Sequence, residues 1–260
     1  MAKQTVTDQT APVVLCDVND GVATVTLNRP DALNALSVPV WVELQGIVAE
    51  LSKADDVHVV ILTGAGRCFS AGNDIKTMRD PTPGVSARIQ LEVIDAIEAL
   101  PQPVIAAVHG FCLTGALELL LACDLVIAAE TARIGDTHAK FGLVPTWGGN
   151  MRLPRRVGLA QAKEMVYTCR FYSGEESRQI GLVNRVVAED ELLEAAQTLA
   201  REISENSRES IATQKRIINS GWEHSLADGL RWVERFHPGS AADMAERLAG
   251  FGKKPTPAKK

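Results

Sequence analysis

The feature that most constrains this chain is a repeated alternation. A short, nearly all-apolar run is followed by a stretch with apolar residues at helical spacing, and the pattern then recurs. VHVVILTG (57–64), PVIAAVHG (103–110) and CDLVIAAE (123–130) are the clearest runs, and GLVNRVV (181–187) comes later. Such runs are expected of strands buried on both faces. The spacing predicts helices over about 38–53, with Ser37 as cap, and over 85–100 and 115–123. Buried strands alternating with helices predict an α/β fold. Ahead of them, VVLCDV (13–18) and VATVTLN (22–28) flank Asn19-Asp20-Gly21 and read as a hairpin.

From about residue 189 the pattern is almost entirely helical, and no linker separates two independent domains. The expected organisation is a polar, disordered N-terminus over 1–12, a core over 13–195, a helical region over 196–252 and a disordered basic tail over 253–260. A chain of 260 residues with 46% hydrophobic and 23% charged residues can bury a core without disulfides or metal. Its net charge of −5 argues against nucleic acid as the main partner.

The five cysteines, Cys16, Cys68, Cys112, Cys123 and Cys169, form no CxxC pair. Neither a disulfide framework nor a cysteine zinc site is indicated, and a reducing, cytoplasmic setting is expected. The first twelve residues lack the apolar stretch of a secretory signal. The longest apolar run, Leu117 to Ala129, is broken by Glu118 and Asp124 and is too short to span a membrane. There is no Walker-type loop, HExxH or GxSxG. The GAG at 64–66 lacks the remaining glycine of a dinucleotide fingerprint, and the scattered histidines form no metal cluster.

Three segments carry chemistry. The loop GAGRCFSAGND (64–74) follows a buried strand, where α/β ligands gather, and its small residues allow close approach to backbone N–H groups. It also reads simply as a turn and helix start. HGFCLTGALELLLACD (109–124) puts Gly115 near a helix N-terminus, where free N–H groups and the helix dipole favour negative charge. Glu118 lies three residues on and shares that face. A carboxylate among Leu, Ala and Cys tends towards a raised pKa, which suits a general acid or base. A structural Glu paired with Arg or Lys is the other reading. Asp124 is expected to make local hydrogen bonds. In the third segment (134–158), Asp136 and His138 follow a strand on the functional edge. His138 is either an acid–base group or a ring tethered to a backbone carbonyl. Pro145 to Gly149 reads as a turn feeding a helix, and Trp147 as pocket wall or packing.

Together LNRPDALNAL (27–36), ILTGAGRCFSAGNDIK (61–76), PVIAAVHGFCLTGALELLLACDLVIAAE (103–130), FGLVPTWGGNMRLPRRVG (141–158) and GLVNRVV (181–187) closely resemble the enoyl-CoA hydratase/isomerase, or crotonase, family. The resemblance spans about residues 13–251. It implies a spiral of ββα units with a helical C-terminal region, trimers often paired into hexamers, and acyl-CoA thioester substrates of fatty acid metabolism. No cofactor is implied beyond the coenzyme A of the substrate. Two backbone N–H groups would hold the thioester oxygen, at Asn73 (where Ala is usual) and Gly115. Glu118 matches the glutamate that acts as base on water at C3. The second glutamate of the hydratases falls at His138, twenty residues on.

The resemblance further implies substrate contacts at Arg29, Ala32, Ala71, Asp74, Ile75, Lys76 and Trp147, with Lys253 and Lys254 adding charge. Phe236 and Phe251 are open between pocket, interface and core. The expected activity is hydration of a 2-enoyl-CoA through an oxyanion-stabilised enolate. The alternatives are isomerisation, decarboxylation, thioester hydrolysis, retro-aldol cleavage, or acyl-CoA or RNA binding without catalysis.

Overall fold

The computed structural model describes residues 11–74, 82–236 and 239–250. The expectations for residues 1–10, Ile75, Lys76, Phe251, Lys253, Lys254 and the tail lie outside these.

The expected hairpin is present. β1 (Val14–Asn19) and β2 (Val22–Leu27) pair antiparallel across the two-residue loop Asp20-Gly21, with Asn19 opposite Val22. β2 then pairs in parallel with β3 (Val59–Gly64), β3 with β4 (Val104–Val108), β4 with β6 (Leu125–Ala129) and β6 with β9 (Arg185–Val187). These strands make one six-stranded sheet in the order β1-β2-β3-β4-β6-β9.

The apolar runs follow from what covers this sheet. Side chains alternate between faces along a strand. Val60, Leu62, Val104, Ala106, Val126 and Ala128 pack with α1 (Val38–Leu51) and α2 (Ile89–Glu98) through Trp41, Leu44, Val93 and Ile94. Their neighbours Val59, Ile61, Ile105, Ala107 and Ile127 pack on Leu192, Ala196, Leu199 and Ala200 of α7 (Leu192–Ser204). Those four are spaced as one helix face, so the central strands have no wet side. Ser37 starts α1 in an extended conformation, but its side chain makes no capping bond; Pro at the first turn does the positioning instead.

A second, smaller sheet was not anticipated. β5 (Phe111–Leu113) pairs in parallel with β7 (Arg133–Gly135), which pairs antiparallel with β8 (Tyr172–Ser173). β5 follows β4 and β7 follows β6, so each long strand turns into a short one that leaves the main sheet. The next helix, α3 (Gly115–Leu121), begins two residues after β5 and is buried throughout.

Beyond β7 come α4 (Gly149–Val157), α5 (Leu159–Thr168) and α6 (Gly174–Gln179), the last opened by a reciprocal Ser173–Glu176 capping box. The helical C-terminal region is α7 with α8 (Arg208–Gly221), α9 (Leu226–Phe236) and α10 (Met244–Gly250). Asp124 does more than bond locally. Its Oδ2 accepts from Val104 N–H (2.7 Å) and from Lys215 Nζ on α8 (2.7 Å), while Lys215 also donates to Gln102 O. Among the described residues no helix is long and apolar enough to cross a membrane.

Candidate active site

Three chain segments meet beyond the carboxyl ends of β3, β5 and β7. The first is the loop after β3. Ser70 bridges to Cys112 of β5 in parallel, and Leu113 N–H donates to Ser70 O (3.3 Å). Three residues further along each chain stand Asn73 and Gly115. Gly72 runs so close to the facing chain that a Cβ there would sit 2.0 Å from Thr114 Oγ1 and 2.5 Å from Leu113 O, and its φ is +97°. Only glycine fits such a crossing. Among the described residues neither the N–H of Asn73 nor that of Gly115 donates to a protein acceptor.

The loop is braced from the DALNAL segment. Asn73 forms an isolated bridge with Leu36, while Leu36 N–H donates to Gly72 O and Asp74 N–H to Leu36 O. Buried Asn34 donates to Ala65 O (2.8 Å) and Cys68 O (2.7 Å), and its carbonyl accepts from Ser70 Oγ. Arg29, expected at the substrate, is engaged here. Its guanidinium donates to Ala35 O (2.6 Å) and to Asp74 Oδ2 (3.0 Å).

Glu118 faces the same region from α3 and is 3% exposed. No Arg or Lys pairs with it among the described residues. Its Oε1 instead accepts the backbone N–H groups of Trp147 (2.8 Å) and Gly149 (2.9 Å), at the start of α4. Burial raises the carboxyl's pKa above its ordinary value, against the opposing pull of the Gly149 and Trp147 N–H groups. The free oxygen, Oε2, lies 3.7 Å from His138 Nε2. The other ring nitrogen, Nδ1, is 2.8 Å from Asp136 Oδ1, so the ring is held by a carboxylate and not by a backbone carbonyl.

Trp147 is both packing and wall. Its half-buried ring meets Trp41 edge-on, with centroids 5.2 Å apart. A Cβ on Gly115 would fall 2.2 Å from this ring, so glycine is needed for the indole to lie over the start of α3. Arg152 of α4 steadies the turn. It donates to Trp147 O (3.0 Å) and forms ion pairs with Glu98 and Asp95 of α2. Among the described residues no group of three or more His, Cys, Asp or Glu side chains is arranged to hold a metal ion.

The arrangement is a raised-pKa carboxylate and a carboxylate-backed imidazole beside two free N–H groups. The family model for enoyl-CoA hydratase/isomerase matches residues 17–253. The chain belongs to the enoyl-CoA hydratase/isomerase family. A protein named probable enoyl-CoA hydratase from Mycobacterium bovis is 38% identical over 95% of this chain and 98% of its own length. The crystal structure of an enoyl-CoA hydratase from Bacillus anthracis superposes with a TM-score of 0.86 at 36% identity, covering 92% of this chain and 95% of that one. A monofunctional enoyl CoA isomerase from M. smegmatis gives a TM-score of 0.74 at 37% identity, covering 84% and 98%.

Within this hydratase/isomerase fold the remaining expected contacts, Ala32 and Ala71, lie on two segments joined by backbone bonds. Ala32 is exposed at the end of a 3-10 turn, Pro30–Ala32. Ala71 is half-buried and donates its N–H to Leu33 O. Phe236 is far along the chain on α9, stacked on Trp232 and covered by Arg216. Sequence reasoning missed Asn34, Ser70 and Arg152 as braces. It saw Asp136 but not its bond to His138, for which the two-residue spacing was the available signal.

Proposed function

We propose that this protein is an enoyl-CoA hydratase-like lyase, adding water across the 2,3 double bond of an enoyl-CoA thioester. The observation that carries the reading is the pair formed by Glu118 Oε2 and His138 Nε2, 3.7 Å apart, with Glu118 one turn along α3 from Gly115. The kinship with proteins named enoyl-CoA hydratase supports it.

In this reading the N–H groups of Asn73 and Gly115 receive the thioester oxygen. Attack of water at C3 pushes charge onto that oxygen, and fixed donors aimed at the developing oxyanion lower the barrier. Glu118 takes a proton from the attacking water and returns it to C2 as the enolate collapses. The raised pKa of Glu118 suits both halves of that task. Two backbone N–H bonds to Oε1 leave Oε2 as the working atom. Coenzyme A is part of the substrate and no further cofactor enters. Ala32 and Ala71 wall the thioester's approach, and Trp147 covers the acyl side. The protein assembles as a trimer or a dimer of trimers, serves fatty acid metabolism and works in the cytoplasm.

The test is mass spectrometry of the protein incubated with a short 2-enoyl-CoA in oxygen-18 water, beside Glu118→Gln. The expected result is labelled 3-hydroxyacyl-CoA, lost in the variant while binding persists. A product of unchanged mass with a moved double bond would assign isomerisation instead, and bound thioester without product would sink hydration of that substrate.

A further inference from the structure

Asp136 is a buried carboxylate that the hydration step above does not use. It is 4% exposed. A single oxygen, Oδ1, accepts both the backbone N–H of His138 (2.9 Å) and the ring at Nδ1 (2.8 Å). An ionised carboxylate only accepts, so the nitrogen facing it carries the proton. A neutral imidazole has one N–H. Nε2, on the side of Glu118, then holds a lone pair.

The backbone fixes this geometry. Asp136 directly follows Gly135, the last residue of β7. Gly135 pairs with Leu113, and its carbonyl accepts from Thr114 N–H (3.0 Å). One strand pair therefore feeds Gly115 from one chain and Asp136 from the other, registering the Asp136–His138 dyad against the Gly115 N–H.

We infer that Asp136 is a positioning residue that locks His138 as the Nδ1–H tautomer, so that Nε2 and Glu118 Oε2 together accept both O–H bonds of one water. The inference rests on the reading that Glu118 and His138 face the reacting water. It explains why a histidine serves at this position. A carboxylate oxygen and an aspartate-backed neutral imidazole present the same face, a lone pair with no proton. As the water oxygen bonds to C3, one proton passes to Glu118 Oε2 and then to C2. The other stays on the new hydroxyl, hydrogen-bonded to Nε2. One water is consumed and nothing else is gained or lost. His138 orients the water and is not the proton donor.

The test is long-range 1H–15N NMR of the full-length protein with labelled histidine, at mildly alkaline pH. The His138 signals are identified by their loss in His138→Gln. The expected ring has a protonated Nδ1 and a bare Nε2. Asp136→Ala is expected to shift the ring to the Nε2–H form and to lower kcat for enoyl-CoA hydration by about 10- to 100-fold, with KM changed by less than about twofold. Asp136→Asn keeps an oxygen acceptor where the backbone N–H already selects one. It is expected to keep the tautomer and to retain more of kcat than the alanine variant. A wild-type Nε2–H ring overturns the inference, as does an Asp136→Ala variant with unchanged tautomer or unchanged kcat. If the wild type hydrates no enoyl-CoA, the functional reading fails separately, and the NMR still decides the tautomer.

Discussion

Glu118 is an expensive residue: a carboxylate among the leucines of a fully buried helix. Its two backbone donors offset the cost only in part, because burial is the largest influence and raises its pKa above the ordinary 4.5. A base must be deprotonated to work. The acid limb of the kcat profile is therefore expected at higher pH than an exposed carboxylate would give, and Glu118→Gln is expected to lose at least about 100-fold in kcat. The stability effect has the opposite sign. A carboxyl whose folded-state pKa is raised holds its proton more readily folded than unfolded, so its contribution falls as pH climbs from about 4.5 through the folded value. Glu118→Gln is thus expected to melt higher than wild type at neutral pH, with the difference closing on acidification; thermal melts across pH check this. That Glu118 faces Gly115 was legible from a three-residue spacing on one helix. What holds Glu118 was not, because Trp147 and Gly149 lie 29 and 31 residues away and reach it only through the packing of α4 on α3.

The elements that carry the site were legible in proportion to their length. β3, β4 and β6 each have five or six residues, nearly all apolar, enough to report that both faces are covered. β5, β7 and β8 have two or three, too few for any periodicity, yet they place Gly115 and Asp136. The loop after β3 shows how a local reading can leave out a structural partner. Arg29 is expected at the substrate, and its side chain is also three-quarters buried and donates to Ala35 O and Asp74. It ties DALNAL to the loop that presents Asn73. Removing it should loosen the proposed oxyanion donor and leave coenzyme A affinity nearly intact. Arg29→Met is expected to lower kcat by about tenfold, since small misplacements of a positioned group cost that much or more, with little change in KM. Steady-state kinetics at two salt concentrations decide the matter. A rise in KM alone, growing with salt, would make Arg29 a direct substrate contact instead.

At the scale of the whole molecule the unusual property is exposed apolar surface. Phe141 (64%) and Val144 (71%) follow His138 within six residues, Tyr167 (74%) stands on α5, and Leu226 (81%) and Leu230 (63%) line α9. Soluble monomers seldom leave large side chains of this kind uncovered in groups, and burying each would contribute roughly 1.5–3 kcal/mol. Two such surfaces on one chain are what a closed trimer, or a trimer paired with another, needs to cover. The first surface has a direct link to the chemistry. Phe141 ends the 3-10 turn that begins at His138, and Leu143 N–H donates to His138 O at 3.0 Å. If neighbouring chains clamp residues 141–144, assembly also holds the His138 ring at its distance from Glu118. Val144→Glu is then expected to lower both the assembled mass and kcat, the latter by about tenfold or more. Leu230→Glu, on α9, is expected to lower the mass with a smaller effect on kcat. Light scattering after size-exclusion chromatography gives the mass, and hydration assays on the same fractions give kcat. A wild type that elutes as a single chain would sink the assembly, and a Val144→Glu trimer of full activity would free His138 from it.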